Sequence, residues 1–256
     1  LTSGTGGPAT SVVTASITPT GNRLQIAAVK TTSTVPTIDT ANGLTWVQIS
    51  TTSSAGGVLT LFRAMAASPS AGAHTIRSGS SVSFRWWISE YSGVSTDGTN
   101  GSAAIGSVIT GTTAAATSLT ISPGFGSFGI TSAGVSAFQI GAAPTGTGFA
   151  ARASWTQTVT SSSLQGQFFA GQDTTASASW DAGQTIDACG IGVELLTPAP
   201  TMAWIQSVAI PPALMVSPTN RSQGARSYTR QVFVPPFPVR YIPHPAIHLR
   251  RRVIIT

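Results

Sequence analysis

The chain has 256 residues, of which 41% are hydrophobic and only 8% charged, against the ~25% charged residues of an ordinary soluble domain. A single cysteine excludes an internal disulfide. No stretch reaches the ~20 apolar residues of a membrane-spanning helix, so no membrane is expected among its partners. The charge is segregated: residues 1–200 carry a net −1, whereas residues 201–256 carry seven arginines and no acid, a net +7, and such asymmetry marks two parts with different tasks.

Gly, Ala, Ser and Thr occupy the space that charge leaves. Thr and Val suit a pleated surface and Gly and Ser suit tight turns, so the composition favours strands over helices. Residues 1–8 read as a flexible lead-in. The alternation of apolar and polar residues then predicts strands over 11–18, 23–31, 44–51, 58–66, 73–78 and 81–91. A second series is predicted over 118–122, 127–136, 150–158, 164–171, 176–180 and 187–196. Thr20-Gly21-Asn22, Ala41-Asn42-Gly43 and Ala55-Gly56-Gly57 offer the positive-φ residues that hairpin turns require. No window shows a sustained 3.6-residue stripe. The expected fold is all-β: a two-sheet, jelly-roll-like β-sandwich over residues 9–197. The two series also echo one another, each with a Trp-containing strand (Trp46; Trp155), a Ser-rich turn and an aliphatic-aromatic strand (59–62; 164–169).

Several segments carry a family resemblance. Gly21-Asn22-Arg23-Leu24-Gln25-Ile26-Ala27-Ala28-Val29 is followed by Thr37-Ile38-Asp39-Thr40-Ala41-Asn42-Gly43-Leu44-Thr45-Trp46, then by residues 59–66 and Ile88-Ser89-Glu90-Tyr91-Ser92-Gly93-Val94. Trp180 and residues 189–196 close the series. This order resembles a diverse family of β-sandwich domains in phage virion structural proteins and bacterial surface proteins. The resemblance covers roughly residues 10–197, and Glu-Tyr-Ser-Gly-Val is its most specific part. It implies a jelly-roll-like sandwich and a role on a virion or cell surface, and it implies no catalytic residue.

From Pro198 the composition changes. Residues 201–256 hold eight prolines, which remove backbone donors and favour extended chain. They also hold Trp204, Val232, Ile242 and the run Val253-Ile254-Ile255, more apolar surface than a disordered linker usually carries. Residues 198–256 are therefore expected to form an extended, non-globular arm lying on a partner. The expected contact residues are Arg226, Arg230, Phe233, Phe237, Arg240, Tyr241, Arg250, Arg251 and Arg252. The Arg250-Arg251-Arg252 cluster could meet phosphates, but arginine forks pair equally well with carboxylates, and the aromatics are interleaved with proline instead of forming a stacking platform. Other virion proteins and further copies of this chain are the expected partners, in preference to nucleic acid.

Catalytic chemistry finds little support. There are seven acids. Glu90 and Glu194 could sit on adjacent strands as a hydrolytic pair, with Trp86 and Trp87 lining a sugar platform; the competing reading makes Glu90 a partner of backbone groups and the tryptophans core. Asp39, Asp97, Asp173 and Asp181 have turn-like contexts. His244 and His248 are four apart, but Pro243 and Pro245 disfavour the helix that would align them, and no zinc or calcium pattern appears. Cys189 reads as a small buried hydrophobe. No enzyme activity, cofactor or metal is expected. The expected function is that of a non-enzymatic structural protein on the virion surface, a head-decoration or tail-associated protein. The alternative is a carbohydrate-binding adhesin recognising cell-surface glycans through exposed tryptophans.

Overall fold

The computed structural model describes residues 1–121, 133–140, 156–161, 164–170, 176–179 and 185–198. Beyond Pro198 the expected arm, with all nine of its expected contact residues, lies outside them, as do Asp173, Asp181, His244 and His248. The first half of the chain forms strands β1 (Thr2–Val13), β2 (Leu24–Thr31), β3 (Thr37–Ile38), β4 (Val47–Ser54), β5 (Gly57–Ala64) and β6 (Thr75–Tyr91). They build one antiparallel sheet in the order β1-β6-β2-β5-β4, with β3 pairing on β6. A short 3-10 turn at Ser102–Ala104 leads to β7 (Ile105–Ala116), β8 (Ser118–Ile121), β9 (Ala133–Ile140), β10 (Thr156–Ser161), β11 (Leu164–Ala170), β12 (Ala176–Ser179) and β13 (Ile186–Leu195). Five of these form a second sheet in the order β10-β11-β9-β13-β7, and β8 pairs with β12.

The two sheets face each other across a common apolar core. Leu24, Ile26, Ala28, Leu59, Leu61 and Trp87 of the first meet Ala133, Val135, Leu164, Ile191, Val193 and Leu195 of the second. Burying each large aliphatic side chain contributes about 1.5–3 kcal/mol. Gly166 lets the sheets approach: a Cβ there would lie 2.7 Å from the Trp87 ring. Tyr91 and Phe168 stack across the same gap with centroids 5.4 Å apart. The outer faces are covered too. Ile38, Leu44 and Trp46 pack over Ala27, Val29, Phe62 and Trp86, while Leu119, Ile121, Ala176 and Ala178 pack over Phe138 and Ile140. Hence β2 and β9 are buried at every position, which is why residues 24–29 read as a nearly unbroken apolar run.

The sandwich expected from the sequence is formed, and its connectivity is sheet by sheet. Among the described strands each sheet comes from one half of the chain, whereas Greek keys of a jelly roll pass strands between sheets. The two halves share one topology. In each, the first strand (β1; β7) is an edge, the hairpin (β4–β5; β10–β11) forms the opposite edge, and the last strand (β6; β13) inserts between the first and the central one (β2; β9). The registers agree. Gln25 faces Glu90 on the first sheet and Gly134 faces Glu194 on the second; Arg63 lies between Ile26 and Val47, as Phe168 lies between Val135 and Thr156. The bridge of Ile17 to Gly72 recurs as Ile121 opposite Ala176. In sequence this equates Trp46-Val47-Gln48 with Trp155-Thr156-Gln157. The echo between the two series is thus a repeated sheet.

Some boundaries differ from expectation. Residues 1–8 are not a lead-in, because Thr2 to Gly6 pair with Ile88 to Phe84 along β6. The segments 73–78 and 81–91 are one 17-residue strand, β6. β7 was not anticipated; its Thr, Gly and Ala run has little hydrophobic contrast because one long edge faces solvent. The turns hold: Asn42 and Gly43 both take positive φ (57° and 74°), and Leu44 N donates to Ala41 O at 2.9 Å.

Candidate functional site

Three carboxylates of the described region accept hydrogen bonds from the chain's own backbone. Glu90, near the end of β6, accepts Thr20 N (2.7 Å) and Gln25 Nε2 (3.0 Å) on Oε2, and Arg23 Nη1 (3.1 Å) on Oε1. At the matching position of the second half, Glu194 Oε2 accepts Ser107 N at 3.1 Å. Asp187 Oδ1 accepts the N–H of Ala115 (3.0 Å), which holds a positive φ of 45° beside a register shift between β7 and β13. Glu90 and Glu194 are therefore on strands of different sheets, not on adjacent strands, and each satisfies a backbone donor. Trp86 and Trp87 are 5% and 1% exposed, so they are core and cannot present a sugar platform.

His74 is wholly buried. Its Nδ1 lies 3.3 Å from Asp39 Oδ1 and 3.3 Å from the Trp46 Nε1 donor. The Trp46 ring meets it edge-on at 5.5 Å between centroids. The three residues pin the outer loop that carries Trp46 against the first sheet. Among the described residues no group of three His, Cys, Asp or Glu side chains could hold a metal ion.

The group with the most chemistry lies inside the sandwich, at one end of the inter-sheet core. Three strands supply it because alternation continues each apolar stripe into a polar residue: Ile26 and Ala28 into Lys30, Val135 and Ala137 into Gln139, Val193 and Ile191 into Cys189. Gln139 and Cys189 are direct cross-strand partners. The Gln139 amide Nε2 is 2.9 Å from Ser54 Oγ, 3.0 Å from Gly57 O and 3.1 Å from Cys189 Sγ. Lys30 Nζ crosses from the other sheet and donates to Ile140 O at 2.8 Å. Lys30 is 7% exposed, and Gln139 and Cys189 are fully buried. Burial lowers the Lys30 ammonium to about 8, the Arg85 charge acting in the same direction and Cys189 against it. Burial likewise raises the Cys189 thiol to about 11, against hydrogen bonds from Gln139 and Ser54 and the Lys30 charge.

Sequence reasoning treated Cys189 as an inert hydrophobe and passed over Lys30, Gln139 and Ser54. One signal was there to be found: Lys30 is the chain's only lysine, and it directly continues the apolar run of β2. The meeting of Gln139 with Cys189 depends on strand pairing, which spacing alone does not fix. No protein family, curated protein or solved structure matches the chain.

Proposed function

We propose that the protein is a non-enzymatic structural component of a phage virion, a head-decoration or tail-associated β-sandwich held to neighbouring subunits by its C-terminal arm, residues 198–256. The observation that carries this reading is the charge division: a nearly neutral sandwich whose last strand ends at Leu195, followed by an acid-free segment of net +7 rich in proline and apolar residues. Such a segment gains little by folding on itself, since proline blocks regular hydrogen bonding and the arginines repel. It gains more along a surface offering carboxylates and open strand edges. Extended, the chain from 201 to 256 could reach up to about 180 Å, enough to cross several subunits. Support also comes from the acids Glu90, Glu194 and Asp187, which are engaged by the chain's own backbone.

The test is to truncate the chain after Thr197 and add it to particles lacking the protein. The truncated sandwich should stay folded and soluble but fail to occupy the particle. Replacing Arg250, Arg251 and Arg252 together should weaken attachment only modestly, because the apolar contacts of Phe233, Phe237 and Tyr241 remain. Full occupancy by the truncated chain would place attachment on the sandwich itself and end the arm hypothesis.

A further inference from the structure

One lysine and one cysteine occur in the whole chain, and the fold brings them to a single enclosed place. Every other cationic side chain is arginine, whose guanidinium is always charged and a poor nucleophile. The only side-chain amine is thus placed inside the sandwich, within hydrogen-bond distance of the carbonyl that follows Gln139. The Gln139 carboxamide is held against the thiol by strand pairing and by contacts to Ser54 and Gly57. A nucleophilic thiol, a primary carboxamide and a primary amine, immobilised together and shielded from water, are the components of an acyl transfer.

We propose that Lys30, Gln139 and Cys189 form an internal cross-link, in which the Cys189 thiol opens the Gln139 carboxamide to a thioester and the Lys30 amine closes it to an isopeptide bond joining the two sheets. In the first step Sγ bonds to Gln139 Cδ, the Cδ–Nε2 bond breaks, and the thiol proton leaves with the nitrogen as ammonia. In the second, Lys30 Nζ bonds to Cδ, the Cδ–Sγ bond breaks, and the amine proton returns to the sulfur. The balance is one amide broken, one amide formed, one ammonia released and the thiol restored, with no oxidant or reductant. Loss of ammonia to solution makes the exchange irreversible.

The environment sets the pace. A Lys30 pKa near 8 leaves a useful fraction of neutral amine at neutral pH, while a thiol held protonated up to about 11 attacks slowly. Cross-linking therefore follows folding and accelerates as the pH rises. The bond would tie β2 to β9 and so lock one half of the chain to the other, whatever the protein's setting; the inference does not rest on the virion reading.

Intact mass spectrometry of the folded full-length protein, incubated at about pH 9, is the decisive measurement. The mass should fall short of the sequence mass by one ammonia, about 17 Da. Trypsin should no longer cut after Lys30, and digestion should yield a peptide pair joined through Lys30 and Gln139. Lys30→Met should stop at the thioester, with the same mass loss and a blocked thiol, and hydroxylamine should free the thiol and leave a hydroxamate at Gln139, about 16 Da above that variant's sequence mass. Gln139→Leu and Cys189→Ala should retain full mass. Folded wild-type protein that keeps its full mass and a trypsin-sensitive Lys30 after incubation would overturn the proposal. Cross-linking that persists in Cys189→Ala would remove the thiol from the route and overturn it as stated.

Discussion

Buried ionisable groups make individual residues report on pH. In freshly purified protein of full mass, Lys30 releases its proton near 8 in the folded state but near 10.5 when unfolded. Between those values the unfolded chain binds more protons, so stability rises with pH, by about 3 kcal/mol for a shift of this size. Cys189 acts oppositely: its thiol ionises near 9 when unfolded and near 11 when folded, so the stability it contributes below pH 9 is lost as pH climbs to 11. The expected profile rises from pH 8 to 9, is nearly level to about 10.5 and then falls. Urea midpoints across this range check it: Lys30→Met should abolish the rise and Cys189→Ala the fall. A flat wild-type profile would show that neither group is buried as described. The glutamates also illustrate how far single residues could be read. A backbone-binding role for Glu90 was legible from the turn that follows it; that Glu194 plays the matching part in the other sheet was not.

At the scale of elements, turn chemistry and apolar runs were the reliable signals. β2, β5, β11 and β13 lie within a few residues of their expected positions, because each is buried by neighbours that reward the same side chains. β1 and β7 are edge strands with one side open, so their sequences need no strong alternation and Thr, Gly and Ala suffice. The β4–β5 hairpin gives a sharp test of backbone control. Gly57 has φ 130°, and a Cβ there would lie 2.3 Å from the Thr31 carbonyl oxygen. Gly57→Ala should cost at least about 2 kcal/mol, since both the backbone conformation and the β2–β5 ladder must give way. Gly79 in β6 is exposed with open space around it, so Gly79→Ala should be neutral or stabilising by up to about 1 kcal/mol. Equal effects of the two substitutions in thermal unfolding would contradict this account of the hairpin.

For the whole molecule, the duplicated sheet makes each half incomplete. A fragment of residues 1–104 keeps the outer cover supplied by Ile38, Leu44 and Trp46 but exposes Leu24, Ile26, Leu59, Leu61, Trp87 and Tyr91, which the second sheet covers in the intact chain. Leaving such a face in water forfeits about 1.5–3 kcal/mol for each large side chain, comparable in sum to the net stability of a domain. The fragment should therefore associate, using the shared topology to mimic the missing half, or remain unfolded. Sedimentation that finds a folded, monomeric fragment would refute the mutual dependence of the sheets. By itself the sequence determined the strand-forming composition, the turns, the buried central strands and the division of charge between nearly neutral residues 1–200 and acid-free, basic residues 201–256, because these depend on composition, local conformation and hydrophobic patterning. It did not determine which strands become neighbours. Only the tertiary structure decided that each half closes its own sheet, that Glu90 and Glu194 are equivalent instead of paired, and that Lys30, Gln139 and Cys189 meet, since long-range pairing brings together residues whose separation in sequence carries no record of it.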